Sequence, residues 1–100
     1  PISTAVPDLG SLVLLGNRPN PFNPATEIMF ETRDGGPVTL TVYDLGGRAL
    51  RSESLTVAPG MSRWRWNGRA GDGRDLASGV YMYRILSREG SGTGRMTLSR

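Results

Sequence analysis

Residues 38–57, VTLTVYDLGGRALRSESLTV, decide the fold class. In the first part, valine and leucine alternate with threonine and tyrosine, which is the pattern of a β-strand with one buried face. The turn Asp44-Leu45-Gly46-Gly47 follows, and glycine allows the positive φ that a tight hairpin requires. A return strand over 48–57 completes a predicted antiparallel hairpin.

Strands with the same period are predicted on both sides of this hairpin. Residues 26–32 place Ile28 and Phe30 on one face, and residues 62–66 place Trp64 and Trp66 together. Further strands are predicted at 12–15, at 80–86 with two nearly apolar faces, and at 95–99 with Met96 and Leu98 inward. About seven short strands with frequent turn signals predict an all-β fold, an immunoglobulin-like antiparallel β-sandwich.

The remaining segments are predicted connections. Residues 17–24 hold three prolines, which exclude a helix or a central strand, and Phe22 is their only large apolar anchor. The glycine-rich segments 67–79 and 90–94 are predicted to be a long loop and a flexible turn. Residues 1–11 are predicted to be a linker or lead-in, and residues 12–100 to be the sandwich domain.

The composition excludes most catalytic chemistry. The chain has no histidine, no cysteine and no lysine, because all 12 basic residues are arginine. An imidazole base, a thiolate nucleophile, the usual zinc ligands and a Schiff-base amine are therefore unavailable to it. Carboxylate pairs are present, but they need a cleft that a chain of 100 residues has little room to build. We expect no enzyme activity and no cofactor.

The charge pattern argues against nucleic acid as a partner. The net charge of +3 is basic, but the arginines are spread along the chain with acids between them, which is typical of a solvated surface. No apolar run approaches the roughly 18 to 20 residues of a membrane span. Because the chain begins at Pro1, we interpret it as a piece of a longer protein. A small-molecule ligand is not expected.

Two local motifs have both a functional and a structural interpretation. Arg63-Trp64-Arg65-Trp66 has the residue types that stack on bases or sugars, but the alternation puts both tryptophans on one face and favours a place in the core. In the 67–79 loop, the oxygens of Asn67, Asp72 and Asp75 are of the kind that binds calcium, although their spacing does not fit an EF-hand. The structural interpretation is that these side chains form hydrogen bonds with the local backbone.

Four segments, in this order, resemble a known family. They are Asn20-Pro21-Phe22-Asn23-Pro24 with Thr26, Ile28 and Phe30; Val42-Tyr43-Asp44-Leu45-Gly46-Gly47-Arg48; Trp66-Asn67-Gly68 leading to Gly73; and Ser78-Gly79-Val80-Tyr81-Met82-Tyr83-Arg84. Together they resemble the C-terminal sorting domains of the bacterial type IX secretion system and the similar Ig-like domain of the flagellar hook-capping protein. The resemblance covers residues 12–100.

The resemblance implies a domain that directs a larger secreted protein across the outer membrane. The cargo domain would lie N-terminal in the same chain, the outer-membrane secretion machinery would be the partner, and the protein would reach the cell surface or the medium through the periplasm. The family carries a basic residue, most often lysine, shortly before a final apolar strand, and Arg95 occupies that place here. A final strand at a sheet edge is also able to pair with another protein. The candidate recognition residues are Arg95, Met96, Leu98, Arg100, Asn67, Asp72 and Asp75.

A module without sorting activity is the alternative. It would be an accessory structural domain, similar to the hook-cap domain, or a carbohydrate-binding sandwich of a secreted protein. Solvent exposure of Trp64 or Trp66 would favour sugar binding, because sugars stack on exposed aromatic rings.

Overall fold

Seven β-strands form the protein in the computed structural model, which describes residues 12–100. The strands are β1 (Val13–Arg18), β2 (Thr26–Thr32), β3 (Gly36–Tyr43), β4 (Ala49–Val57), β5 (Gly60–Trp66), β6 (Gly79–Ser87) and β7 (Gly90–Leu98). No helix occurs in that range, so the described chain contains no helix able to cross a membrane. The predicted linker, residues 1–11, lies outside the described residues.

The strands form two antiparallel sheets. The three-stranded sheet has the order β1-β2-β5, and the four-stranded sheet has the order β4-β3-β6-β7. The chain passes between the sheets after β2, β4 and β5, so neither sheet is completed by consecutive strands alone. The predicted all-β, immunoglobulin-like sandwich of seven strands is confirmed.

The core lies between the two sheets and consists of the alternate, inward side chains of the strands. Trp64 and Trp66 are only 5% and 1% exposed, which confirms their predicted place in the core. Phe22 from the proline-rich segment also enters the core, with its ring centroid 5.6 Å from that of Trp66. Each fully buried large side chain contributes about 1.5–3 kcal/mol of hydrophobic stabilisation.

Strand β6 is central in its sheet, between β3 and β7, as its two nearly apolar faces predict, but only one of those faces is buried. Tyr81, Tyr83 and Ile85 are buried, whereas Val80 and Leu86 are 37% and 48% exposed. A two-layer sandwich covers only one face of each sheet, and within residues 12–100 no third layer packs on the outside.

The prediction of a flexible turn at 90–94 is wrong, because these residues form the first part of β7. The chain turns earlier, where Ser87 Oγ accepts the Glu89 amide hydrogen (3.0 Å) and donates to the Gly90 carbonyl (3.1 Å). The glycines that follow are needed for close packing. An added Cβ on Gly94 would overlap the ring of Tyr83, and one on Gly92 would lie 3.3 Å from Cβ of Leu14.

The first strand is longer than the predicted 12–15 and continues to Arg18. A β-bulge around Leu15 and the positive φ of Gly16 (96°) keep the chain paired with β2 as far as Arg18 opposite Glu27. The extra residue of the bulge bends β1 locally, and the hydrogen-bonded pairing of β1 with β2 continues beyond it.

Candidate functional site

Arg100 fastens the loop that follows β5. Its guanidinium donates hydrogen bonds to the carbonyl oxygens of Leu76 (Nε to O, 2.6 Å) and Gly68 (Nη2 to O, 2.9 Å). Its backbone amide donates to Ser78 Oγ at 2.9 Å, and Nη2 lies 3.7 Å from the Asp75 carboxylate. The Arg100 side chain, expected to face a partner, is therefore engaged with the loop.

Gly68 is the point at which three segments converge. Its φ is +74°, and an added Cβ would lie 2.9 Å from Arg100 Nη2 and 3.0 Å from the carbonyl oxygen of Pro24. The loop, the end of the chain and the proline-rich segment thus meet around a residue that has no room for a side chain.

The polar residues of the loop form short-range hydrogen bonds. Asn67 Oδ1 accepts the amide hydrogen of Arg69 (3.2 Å), and Asp72 Oδ1 accepts that of Arg74 (3.0 Å). Asp75 Oδ1 accepts a hydrogen bond from Arg69 Nε at 2.9 Å. The predicted hydrogen bonds to the local backbone are present for Asn67 and Asp72, whereas Asp75 bonds to the Arg69 side chain instead. Residues 12–100 contain no group of three or more metal-binding side chains placed to share one ion.

The last strand divides its predicted recognition residues between solvent and core. Arg95 is exposed, whereas Met96 and Leu98 are fully buried, opposite Tyr81 and Gly79 of β6. This alternation follows from the two-residue period of a strand with one buried face. Within β7, Arg95 is thus the predicted recognition residue whose side chain a partner is able to reach.

Strand β7 is the edge of the four-stranded sheet, but its end is covered by the proline-rich segment. Asn20 Oδ1 accepts the Thr97 amide hydrogen (2.9 Å), and Asn20 Nδ2 donates to the Arg95 carbonyl (3.4 Å). The Phe22 amide donates to the Thr97 carbonyl, and the Ser99 amide donates to the Phe22 carbonyl, both at 2.9 Å. The expected addition of a partner strand is therefore blocked over 95–99.

Among residues 12–100, two ionisable groups have shifted pKa values, and both shifts have structural causes. Burial raises the pKa of the Tyr83 phenol. Hydrogen bonds from the backbone amides of Arg33 and Asp34, at 2.8 and 2.7 Å, lower the pKa of the Glu89 carboxyl. Tyr83 belongs to the core and Glu89 joins two turns, so neither group indicates an acid–base site.

A sequence comparison agrees with this fold. The model of the FlgD Ig-like domain matches residues 17–91. The chain belongs to the FlgD Ig-like domain family. The matched range includes β2 to β6 and the loop with Asn67, Asp72 and Asp75, and it ends before Arg95. The family is a non-catalytic, structural one. No curated protein matches the sequence.

Several solved structures of other proteins contain this family's fold. In latent PorU from Porphyromonas gingivalis, the similarity has a TM-score of 0.71 at 19% identity and covers 87% of this chain but 9% of PorU. For PorZ from the same organism, a surface component of the type-IX secretion system, the TM-score is 0.59 at 23% identity, over 93% of this chain and 12% of PorZ. FlgD from Xanthomonas campestris gives 0.57 at 16% identity, over 93% of this chain and 70% of FlgD. At such identities the likeness shows the fold.

Proposed function

We propose that this chain is a non-catalytic C-terminal sorting domain, which directs a larger secreted protein across the outer membrane. The observation that carries the proposal is that 93% of the chain shares its fold with part of PorZ, described as an essential bacterial surface component of the type-IX secretion system. The ordered motifs between Asn20 and Arg84, which resemble those of sorting domains, support the same function. A domain with this function needs a stable fold and accessible side chains and does not need a catalytic cleft.

In this proposal the cargo domain lies N-terminal in the same chain. The outer-membrane secretion machinery binds the sandwich after export to the periplasm, and the protein ends at the cell surface or in the medium. Neither nucleic acid nor a small-molecule ligand takes part. The scattered arginines of the chain are consistent with a protein partner.

We assign direct recognition to Arg95 and to the exposed loop residues Asn67, Asp72 and Asp75. The other predicted residues contribute to recognition only indirectly. Met96 and Leu98 act through the core, and Arg100 acts by fixing the loop. Arg95 projects from β7 into solvent, and it forms no ion pair within residues 12–100.

A single substitution tests this assignment better than a deletion. Removing residues 95–100 would also remove Met96 and Leu98 from the core and unfold the domain. We therefore compare Arg95→Ala with Arg63→Ala, which alters an exposed arginine of β5. Each chain is attached to the C-terminus of an exported fluorescent reporter in a bacterium with a type IX system. The measurement is the fraction of reporter that external protease cleaves.

The expected result is a loss of about tenfold in the cleaved fraction for Arg95→Ala, because a charge-assisted contact with the machinery is removed, with Arg63→Ala unchanged. If the reporter fused to Arg95→Ala is cleaved as much as the reporter fused to the unaltered chain, Arg95 is not part of the sorting signal. Equal loss in both variants would show that total charge, and not this position, matters.

An accessory structural domain is the second candidate. The observation that favours it is the similarity to FlgD from Xanthomonas campestris, a protein of hook capping, of which this fold makes up 70%. The structure does not support a carbohydrate-binding module, because Trp64 and Trp66 are buried and are not available to stack on a sugar. Their fluorescence should be blue-shifted and protected from acrylamide, whereas red-shifted, quenched emission would restore sugar binding as an alternative.

A further inference from the structure

The outward face of the four-stranded sheet combines exposed apolar side chains with arginines. Its outer positions on β3, β4 and β7 are mainly serine and threonine, as in the cross-strand pairs Thr39–Ser54 and Thr41–Ser52. Strand β6 adds an apolar strip. We call this surface the arginine face, and its larger side chains are Tyr43, Val80, Met82, Arg84, Leu86 and Arg95.

The two arginines of this face occupy neighbouring outward positions on β6 and β7. Met82 is the register partner of Arg95, and Arg84 follows Met82 by two positions on the same side of β6, so both arginines are neighbours of Met82 on this face. Both arginines are exposed, and neither forms an ion pair within residues 12–100.

No acidic side chain of residues 12–100 stands on the outward positions of these four strands. Glu53 of β4 lies on the inward side, because it pairs with the buried Leu40. Asp44 follows β3 in the turn, where its Oδ1 accepts the Arg48 amide hydrogen at 2.9 Å. The positive charge of the arginine face is therefore not balanced from within the sheet.

The apolar part of the face is partly open to solvent. Val80 and Leu86 are exposed by more than a third, and Tyr43 and Met82 are half-buried. A shallow depression of about 250 Å³ lies at one end, and its lining includes Tyr43, Leu45, Met82 and Arg84. Asp44 also lines it, with its carboxylate hydrogen-bonded to the Arg48 amide. Apolar area surrounded by polar and charged side chains is the usual anatomy of a protein interface.

The outward face of the three-stranded sheet differs in its charge. There Glu27 lies opposite Arg65 of β5, Glu31 lies opposite Met61, and Arg63 Nη1 lies 4.0 Å from the Glu27 carboxylate. Two acids on that face offset two of its three arginines, which are Arg18, Arg63 and Arg65. Within residues 12–100, the face of the three-stranded sheet is therefore mixed in charge, whereas the outward strand positions of the arginine face carry arginines without acids.

We propose that the arginine face docks an acidic protein segment whose carboxylates meet Arg84 and Arg95 while its apolar side chains cover Met82 and Tyr43. This inference rests on the proposed function, and it assigns the face to the contact with the secretion machinery. Guanidinium groups bind carboxylates through two parallel hydrogen bonds, and the apolar strip supplies area to bury. A second copy of this chain would bring like charges together if the two arginine faces met.

The first test uses the isolated 100-residue chain and a synthetic peptide of alternating glutamate and leucine as the probe. Amide chemical shifts of the labelled chain are followed during titration at low and high salt. Shifts should concentrate on β6 and β7 around Arg84 and Arg95 and weaken as salt rises. Binding spread equally over the other arginines, or centred on β5, would overturn the proposal. So would concentration-dependent shifts on this face without peptide, because these would identify a second copy as the occupant.

Matched double variants separate this face from general charge. R84E/R95E and R63E/R65E change the net charge equally on opposite sheets, and thermal unfolding checks that each is folded. Peptide affinity should fall at least about tenfold, or about 1.4 kcal/mol, in R84E/R95E only. Equal loss in both variants would overturn the proposal.

Delivery of the reporter fusion distinguishes failure of this inference from failure of the proposed function. If the unaltered chain delivers the reporter and R84E/R95E does not, both are supported. If R84E/R95E delivers as well as the unaltered chain, the arginine face is not the sorting contact and this inference falls alone. If the unaltered chain fails to deliver, the proposed function falls, and this inference falls with it as a statement about secretion, while specific peptide binding would still support an acidic partner.

Discussion

The phenol ring of Tyr83 lies against Gly94, its register partner on the neighbouring strand β7. The ring occupies the space where any other residue at position 94 would place its Cβ, so the aromatic core side chain and the glycine fit only as a pair. This contact explains why glycine stands at position 94 inside the ladder of β6 and β7.

Gly94→Ala should destabilise the domain by about 1–3 kcal/mol, because the methyl group forces Tyr83 out of its position in a packed core. Urea denaturation measures the change in the free energy of unfolding. Gly71→Ala is the control, since an added Cβ there would meet only the Leu50 carbonyl oxygen at an ordinary 3.7 Å. Equal stability of the two variants would contradict the tight packing of Tyr83 on Gly94.

Asn20→Ala should expose the end of β7. It removes the hydrogen bonds to the Thr97 amide and the Arg95 carbonyl, at a cost of about 1 kcal/mol. Faster hydrogen exchange at Thr97 and increased self-association in sedimentation are expected, because an uncovered strand edge pairs with other chains. Asn23→Ala, at an exposed position of the same segment, should change neither quantity. An unchanged Thr97 exchange rate in Asn20→Ala would show that Asn20 does not protect this edge.

Arg100→Ala should loosen the 67–78 loop while leaving the strands intact. The Leu76 amide, which donates to the Gly68 carbonyl at 3.1 Å, should exchange faster, because both residues lose the hydrogen bonds of Arg100 to their carbonyl oxygens. The expected cost is about 1–2 kcal/mol in local opening free energy. Arg74→Ala, an exposed arginine of the same loop, serves as control. If both variants leave Leu76 exchange unchanged, Arg100 does not fix the loop.

Glu89 should make stability depend on pH in the acid range. Its pKa is lowered in the folded state by the amide hydrogen bonds of Arg33 and Asp34, so its contribution is present above the ordinary carboxyl pKa and is lost as pH falls through the lowered value. The stability difference between the wild type and Glu89→Gln should therefore shrink as pH falls below about 4.3. Chemical denaturation at several pH values tests this, with Glu31→Gln as a control for the change in net charge. A stability difference between the wild type and Glu89→Gln that does not change with pH would contradict the coupling between Glu89 ionisation and stability.

Alternation in the sequence was sufficient to predict β2, β3 and β5, because the two-residue period decides which side chains are buried. Ile28, Leu40 and Trp64 lie in the core as predicted, and Arg95 projects outward from β7. The predictions failed where a residue's structure depends on a distant partner. A glycine-rich segment predicts a turn, but the glycine at position 94 is required by its contact with Tyr83 of another strand.

The site was less predictable than the fold for the same reason. The contact of Asn20 with Thr97 joins residues 77 positions apart, and an asparagine between prolines gives no local sign of such a partner. Arg100 likewise reaches Gly68 across 32 positions. The hydrogen bonds of Asn67 and Asp72, by contrast, reach only two residues along the chain, and these local interactions were predicted.

The most direct test of the sorting function is the fraction of an exported fluorescent reporter, fused to the unaltered chain, that external protease cleaves in a type IX-competent bacterium and in its translocon mutant. The proposal predicts a cleaved reporter on the surface of the competent strain and a protected reporter in the mutant. A folded fusion that stays protected in the periplasm of the competent strain would contradict the sorting function and favour the accessory structural domain.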